Sequence, residues 1–106
     1  MKLVFAILST EDAPLVNNSL TEAGFQVTKL ATTGGFLKAG NTTFLIGTEE
    51  DRVEEVLDIL RRQSRRRIQK MPNPNNGNGI LNPYPIEVSV GGATVFVVDV
   101  DRFEKL

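Results

Sequence analysis

Leu3-Val4-Phe5-Ala6-Ile7-Leu8 is apolar without interruption and mixes β-branched with aromatic side chains. A strand with one wet face alternates apolar and polar residues, whereas a run apolar at both parities suits a central strand covered on both sides. The acidic pair Glu11-Asp12 stands where a leader peptide would carry small cleavage-site residues, so the run is expected to be a buried strand. A chain opening this way has to supply two layers of cover, from its own helices or from other molecules.

The 106 residues fit one domain, expected over 1–106, since domains usually run to about 100–150 residues. The chain has no cysteine and no histidine. That removes thiolate metal sites, disulfides, cysteine nucleophiles and the commonest neutral-pH general base. No metal site, no cofactor and no catalytic residue is therefore expected. Twelve Lys and Arg against 13 Asp and Glu leave a formal charge of −1, without the basic excess of a protein that coats nucleic acid. No apolar run approaches the roughly 20 residues that span a bilayer. A cytoplasmic protein with neither nucleic acid nor membrane as partner is expected.

After the first strand, Ser9-Thr10-Glu11-Asp12 offers N-caps and first-turn acids to a helix with Pro14 in its first turn. Leu15, Val16, Leu20 and Ala23 follow at helical spacing, and Gly24 is the stop signal. Phe25, Val27 and Lys29 alternate with Gln26, Thr28 and Leu30 as a second strand, and Thr42 to Ile46 reads as a third. Thr48-Glu49-Glu50-Asp51 opens a second helix with the stripe Val53, Val56, Leu57 and Leu60. Arg61, Arg62, Arg65, Arg66 and Arg67 crowd its far end, where cations complement the helix dipole. Residues 68–84, dense in Pro, Asn and Gly, are expected to form a long flexible loop. Pro85 to Val90 alternates, Gly91-Gly92 turns and Ala93 to Val98 returns, which predicts a hairpin. Asp101 to Leu106 allows one helical turn. The order predicts an α+β, ferredoxin-like βαββαβ fold with an extra C-terminal hairpin strand. Apolar residues at both parities in several strands predict that other copies of the chain cover the open face of the sheet.

Thr28-Lys29-Leu30-Ala31-Thr32-Thr33-Gly34-Gly35-Phe36-Leu37 joins two strands with hydroxyls, glycines and one aromatic ring. Successive N–H groups in such a turn can form an anion-binding nest, and Phe36 offers a face on which a base can stack. Asn41 can pair in two directions with an adenine edge. On the residues alone, a tight turn with Phe36 as a core plug and a ligand loop both stay open. The segment lacks the Gly-Lys-Ser/Thr of a P-loop and the spacing of a dinucleotide fingerprint. The arginine cluster reads as a solvated helix end. The acids Glu49-Glu50-Asp51, Glu54-Glu55 and Asp99-Val100-Asp101 have no calcium-loop spacing.

The stretch from Thr28 through Asn41 to Leu45, followed by Asp51-Arg52-Val53, resembles the signature of the PII-like cyclic-di-AMP receptors of Gram-positive bacteria. Pro85-Ile86-Glu87-Val88 and Val90-Gly91-Gly92-Ala93-Thr94-Val95-Phe96-Val97 match the second block of that family. The resemblance implies a homotrimer that binds cyclic-di-AMP between subunits and signals without catalysis to a downstream protein of unknown identity. It places Gln26, Thr28, Gly35, Phe36, Leu37, Asn41 and Gly47 at the ligand, with Phe96 near it. Gln26 stands where some members carry Arg, and Lys105 where some carry Gln. The loop between the second and third strands is short and the one after the second helix long, as in these receptors and unlike PII proteins proper. The alternative is a PII-type sensor of ATP or ADP that regulates a transporter or a nitrogen enzyme.

Overall fold

A computed structural model describes residues 1–30, 40–71 and 86–106. Strand β1 (Lys2–Ser9) lies in the middle of a four-stranded sheet with β2 (Val27–Leu30), β3 (Asn41–Thr48) and β6 (Ala93–Asp99), in the order β2-β3-β1-β6. Every neighbouring pair is antiparallel. Helices α1 (Ala13–Glu22) and α2 (Val53–Gln63) complete a small α+β fold consistent with the ferredoxin-like arrangement.

The apolar first strand is divided by its pleat. Val4, Ala6 and Leu8 are buried, while Leu3, Phe5 and Ile7 on the other face are only half-buried. Register carries the division across the sheet, because directly opposed residues share a face. Val4 faces Ile46, and Ala6 faces Phe44. These side chains form one core with Val16 and Leu20 of α1 and Val56, Ile59 and Leu60 of α2. Fully burying each such large aliphatic side chain is worth about 1.5–3 kcal/mol. Both helices therefore cover the same face. Leu15, expected among the buried residues of α1, is 57% exposed, because Val16 and Leu20 already fill the stripe facing the sheet. Ile59 joins the core of α2 although it was not part of the expected stripe.

Helix α1 ends at Gly24, whose φ is +92°. Phe25 N–H donates to the Leu20 carbonyl and Gly24 N–H to that of Thr21, both at 3.0 Å, which is the Schellman closure. Helix α2 is preceded by a short 3-10 turn, Glu50–Arg52.

The end of the chain differs from expectation in three places. Arg67–Met71 forms a strand, β4, so the stretch expected as a loop from residue 68 begins as regular structure; residues 72–85 lie outside the described residues. Strand β5 (Ile86–Val90) pairs with β4 in a separate two-stranded ribbon, from Arg67 opposite Val90 to Met71 opposite Ile86. The hairpin expected across Gly91-Gly92 is therefore not formed, since β6 pairs with β1 instead. The two glycines, at φ +83° and +81°, take the chain from the ribbon into the edge of the sheet. Gly92 N–H donates to the Ser64 carbonyl there. Residues 101–106 form no helical turn and are exposed.

Candidate functional site

Period-two alternation and the strand register decide where the expected ligand residues lie. Thr28 is opposite Leu45, Leu45 opposite Phe5, and Phe5 opposite Phe96. This rung runs across the face of the sheet that carries no helix. Gly47 lies on the same face, opposite Leu3, and so does Asn41, opposite Ser9. Thr28, Asn41, Gly47 and Phe96 thus share one face, and all four are exposed. Gln26 is also exposed and sits just before β2. Since Val27 is opposite Ile46, Gln26 reaches the level of Gly47. Gly35, Phe36 and Leu37 lie outside the described residues.

These residues stand at the rim of the face. Thr28 is on one edge strand and Phe96 on the other. With strands about 4.8 Å apart, three spacings separate them by about 14 Å. Asn41 and Gly47 mark opposite ends of β3. Within one chain the described candidates share an orientation without closing around a common point.

Asn41 borders a groove of about 330 Å³ between the end of β1, the start of β6 and the root of the ribbon. Ser9, Arg66, Ser89 and Thr94 also line it, and the sequence reading assigned none of them to a site. Of these only Arg66 carries a sequence signal, as part of an arginine cluster that reads as a solvated helix end. A second groove, of about 460 Å³, lies on the far side of the ribbon root between α2 and β6 and is lined by Leu57, Leu60, Arg65 and Val95.

Two ion pairs hold the elements that carry these residues. Asp12 precedes α1 in the N-cap position but makes no capping hydrogen bond. Its buried carboxylate accepts from both terminal nitrogens of Arg67, at 2.9 and 3.3 Å, and ties the ribbon to the start of α1. That hydrogen bond, helped by the Asp12 charge, raises the pKa of Arg67 further. Lys2 donates to Asp99 at the end of the β1–β6 pairing. The bond holds the Asp99 carboxyl below its ordinary range and pushes Lys2 up.

Arg52 is a third fastening that the sequence reading gave no task, although Asp51-Arg52-Val53 was part of the resemblance. Its guanidinium lies 4.1 Å from the centroid of the Phe25 ring. One terminal nitrogen donates to the Ala23 carbonyl at 2.9 Å, and Nε donates to Glu55 at 3.0 Å. Arg52 thereby fixes the turn that leads into Gln26 and Thr28. Thr43 is buried on the helix-free face, and its hydroxyl has no partner among the described residues.

Among the described residues no group of three or more acidic side chains is placed to hold a metal ion. No described helix is long and apolar enough to cross a membrane.

The crystal structure of a functionally unknown protein from Pediococcus pentosaceus ATCC 25745 is similar, with a TM-score of 0.76 and 48% sequence identity over 99% of this chain and 96% of that one. The family model described as cyclic-di-AMP receptor matches residues 1–106. Family members bind cyclic-di-AMP as a ligand. A match over every residue, carried by a fold with two helices on one side of its sheet, makes this chain a member of the cyclic-di-AMP receptor family.

Proposed function

We propose that this chain is a non-catalytic signal-transduction receptor of the cytoplasm. It binds cyclic-di-AMP in the clefts between the subunits of a homotrimer and signals to a downstream protein. The observation that carries the reading is the separation of Thr28 and Phe96 on opposite edges of one rung. A ligand that uses both positions needs the β2 edge of one chain beside the β6 edge of another. The groove at Asn41 supports this. Its volume of about 330 Å³ is at the lower end of the roughly 300–1,000 Å³ of small-molecule pockets, which leaves much of a dinucleotide to be covered by a neighbouring chain.

In this reading Thr28 and the amides around Gly35 and Phe36 hold phosphate oxygens, Asn41 pairs with an adenine edge, and Phe36, Leu37 and Phe96 supply apolar contact. Gln26 and Gly47 close the β2 end of the cleft. Ligand binding alters segment 68–84, which passes the signal on.

Calorimetric titration with cyclic-di-AMP, cyclic-di-GMP and ATP tests the proposal. Saturable binding of cyclic-di-AMP alone is expected. Binding of ATP in preference to it would return the chain to the PII-type alternative, and no heat with cyclic-di-AMP removes the receptor reading. Asn41→Ala is expected to weaken binding at least about fivefold, because a two-point amide contact to a base is worth about 1–3 kcal/mol. The assembly should be unchanged by size-exclusion chromatography. Unaltered affinity takes Asn41 out of the site.

A further inference from the structure

Neighbouring arginines at the root of the ribbon enter different grooves. Arg65 borders the groove between α2 and β6, among Leu57, Leu60 and Val95. Arg66 borders the other one, beside Asn41, with the hydroxyls of Ser9, Ser89 and Thr94 on its walls. The described ion pairs engage Arg52, Arg61, Arg67 and Arg102 and give Arg66 no carboxylate partner among the described residues. Its stem lies beside Gly92. A Cβ at Gly92 would lie 3.8 Å from both Cβ and Nε of Arg66, so the arginine stem runs along the glycine into the groove. The groove therefore combines a cation, an amide and several hydroxyls, and no described carboxylate lines it. This is the donor set for a phosphate group, because guanidinium meets phosphate oxygens with paired, charge-assisted hydrogen bonds.

We propose that Arg66 is a phosphate-binding residue of the ligand site, with one phosphodiester of cyclic-di-AMP seated in the groove between Arg66 and the hydroxyls of Ser9 and Thr94, beside the Asn41 that pairs with an adenine. The proposal rests on the receptor reading and adds to it the residue that balances the ligand's charge. It also gives the ligand a direct hold on the ribbon, because Arg66 is adjacent to Arg67, the first residue of β4.

Isothermal calorimetry with cyclic-di-AMP at low and high salt, on the unaltered protein and on Arg66→Ala, Arg66→Lys and Arg65→Ala, tests it. Affinity that depends on a charge contact falls with ionic strength. Arg66→Ala is expected to lose at least tenfold in affinity and to flatten the salt dependence. Arg66→Lys should keep the salt dependence while losing part of the affinity, and Arg65→Ala should match the unaltered protein. Arg66 is exposed, so these variants should melt at the unaltered temperature. If the unaltered protein binds and Arg66→Ala binds with the same affinity and salt dependence, the proposal is wrong while the receptor reading stands. If the unaltered protein fails to bind cyclic-di-AMP, both fall.

Discussion

Asp12 and Arg67 form one ion pair whose partners differ in access to water. The Asp12 side chain is 6% exposed and that of Arg67 34%. Burying a carboxylate is costly unless it is paired, and removing one partner leaves the other's desolvation uncompensated. The cost of breaking this pair should therefore depend on which residue is changed. Arg67→Ala strands a buried charge, whereas Asp12→Asn leaves an arginine that can turn toward solvent and an amide that can still accept from it. Urea denaturation should place the midpoint of Arg67→Ala below that of Asp12→Asn, with both below the unaltered protein. Equal midpoints, or the reverse order, would show that the pair is not what fastens the ribbon to α1. Of the four residues expected to cap α1 or charge its first turn, Asp12 takes the N-cap position without a capping bond, and its partner was not legible because a contact spanning 55 residues has no local signature.

At the scale of elements, the same limit explains which parts of the fold were legible. Strand β1, both helices and the stop at Gly24 follow from apolar period, Pro14 near a helix start and a glycine at a helix end. Strand β4 was missed because Arg67-Ile68-Gln69-Lys70-Met71 is short and polar and follows an arginine cluster that suits a helix end. With β4 unrecognised, β5 had no visible partner except β6. A glycine pair with positive φ serves a two-residue hairpin and a change of sheet equally well, so Gly91-Gly92 could not decide between them. The face that the candidate residues occupy was legible only in part for a similar reason. Alternation along β2 and β3 is a sequence property, whereas the register that puts Thr28, Asn41, Gly47 and Phe96 on one face is set between strands. The glycines themselves give a sharp comparison. Gly24 and Gly91 both have positive φ, but an added Cβ meets nothing within 4 Å at Gly24, while at Gly91 it would lie 2.5 Å from the Arg65 carbonyl oxygen. Gly24→Ala should cost about 1–2 kcal/mol, the penalty of a left-handed residue. Gly91→Ala should cost more, since the clash is with backbone. Chemical denaturation of the two variants would settle it, and a Gly91→Ala no less stable than Gly24→Ala would mean that the ribbon root is loosely held.

For the whole molecule, the helix-free face poses the question that the first strand raised. Leu3, Phe5, Ile7 and Leu45 are half-buried there, and Phe96 and Val98 are 56% and 42% exposed. A continuous apolar face of this kind marks an interface far more often than a solvated surface. Copies that meet β2 edge to β6 edge use two different surfaces, and such a contact closes into a ring when the rotation allows. In the proposed trimer, three chains arranged this way would turn their apolar faces toward one axis and would bring Thr28 of each chain near Phe96 of the next. Assembly and ligand binding are then one property, which a single substitution can expose. Phe5→Asp puts a charge in the middle of the face and replaces none of the proposed ligand residues, although it stands opposite one of them, Phe96. Sedimentation should show the unaltered protein as a trimer and Phe5→Asp as a monomer, with calorimetry showing that the monomer no longer binds cyclic-di-AMP. Leu15→Asp, on the exposed side of α1, should change neither. The melting temperature of the unaltered protein should rise with protein concentration, because association stabilises only the folded chain, and that of Phe5→Asp should not. A Phe5→Asp monomer that binds cyclic-di-AMP as tightly as the unaltered protein would place the whole site within one chain and break the link between the open face and the receptor.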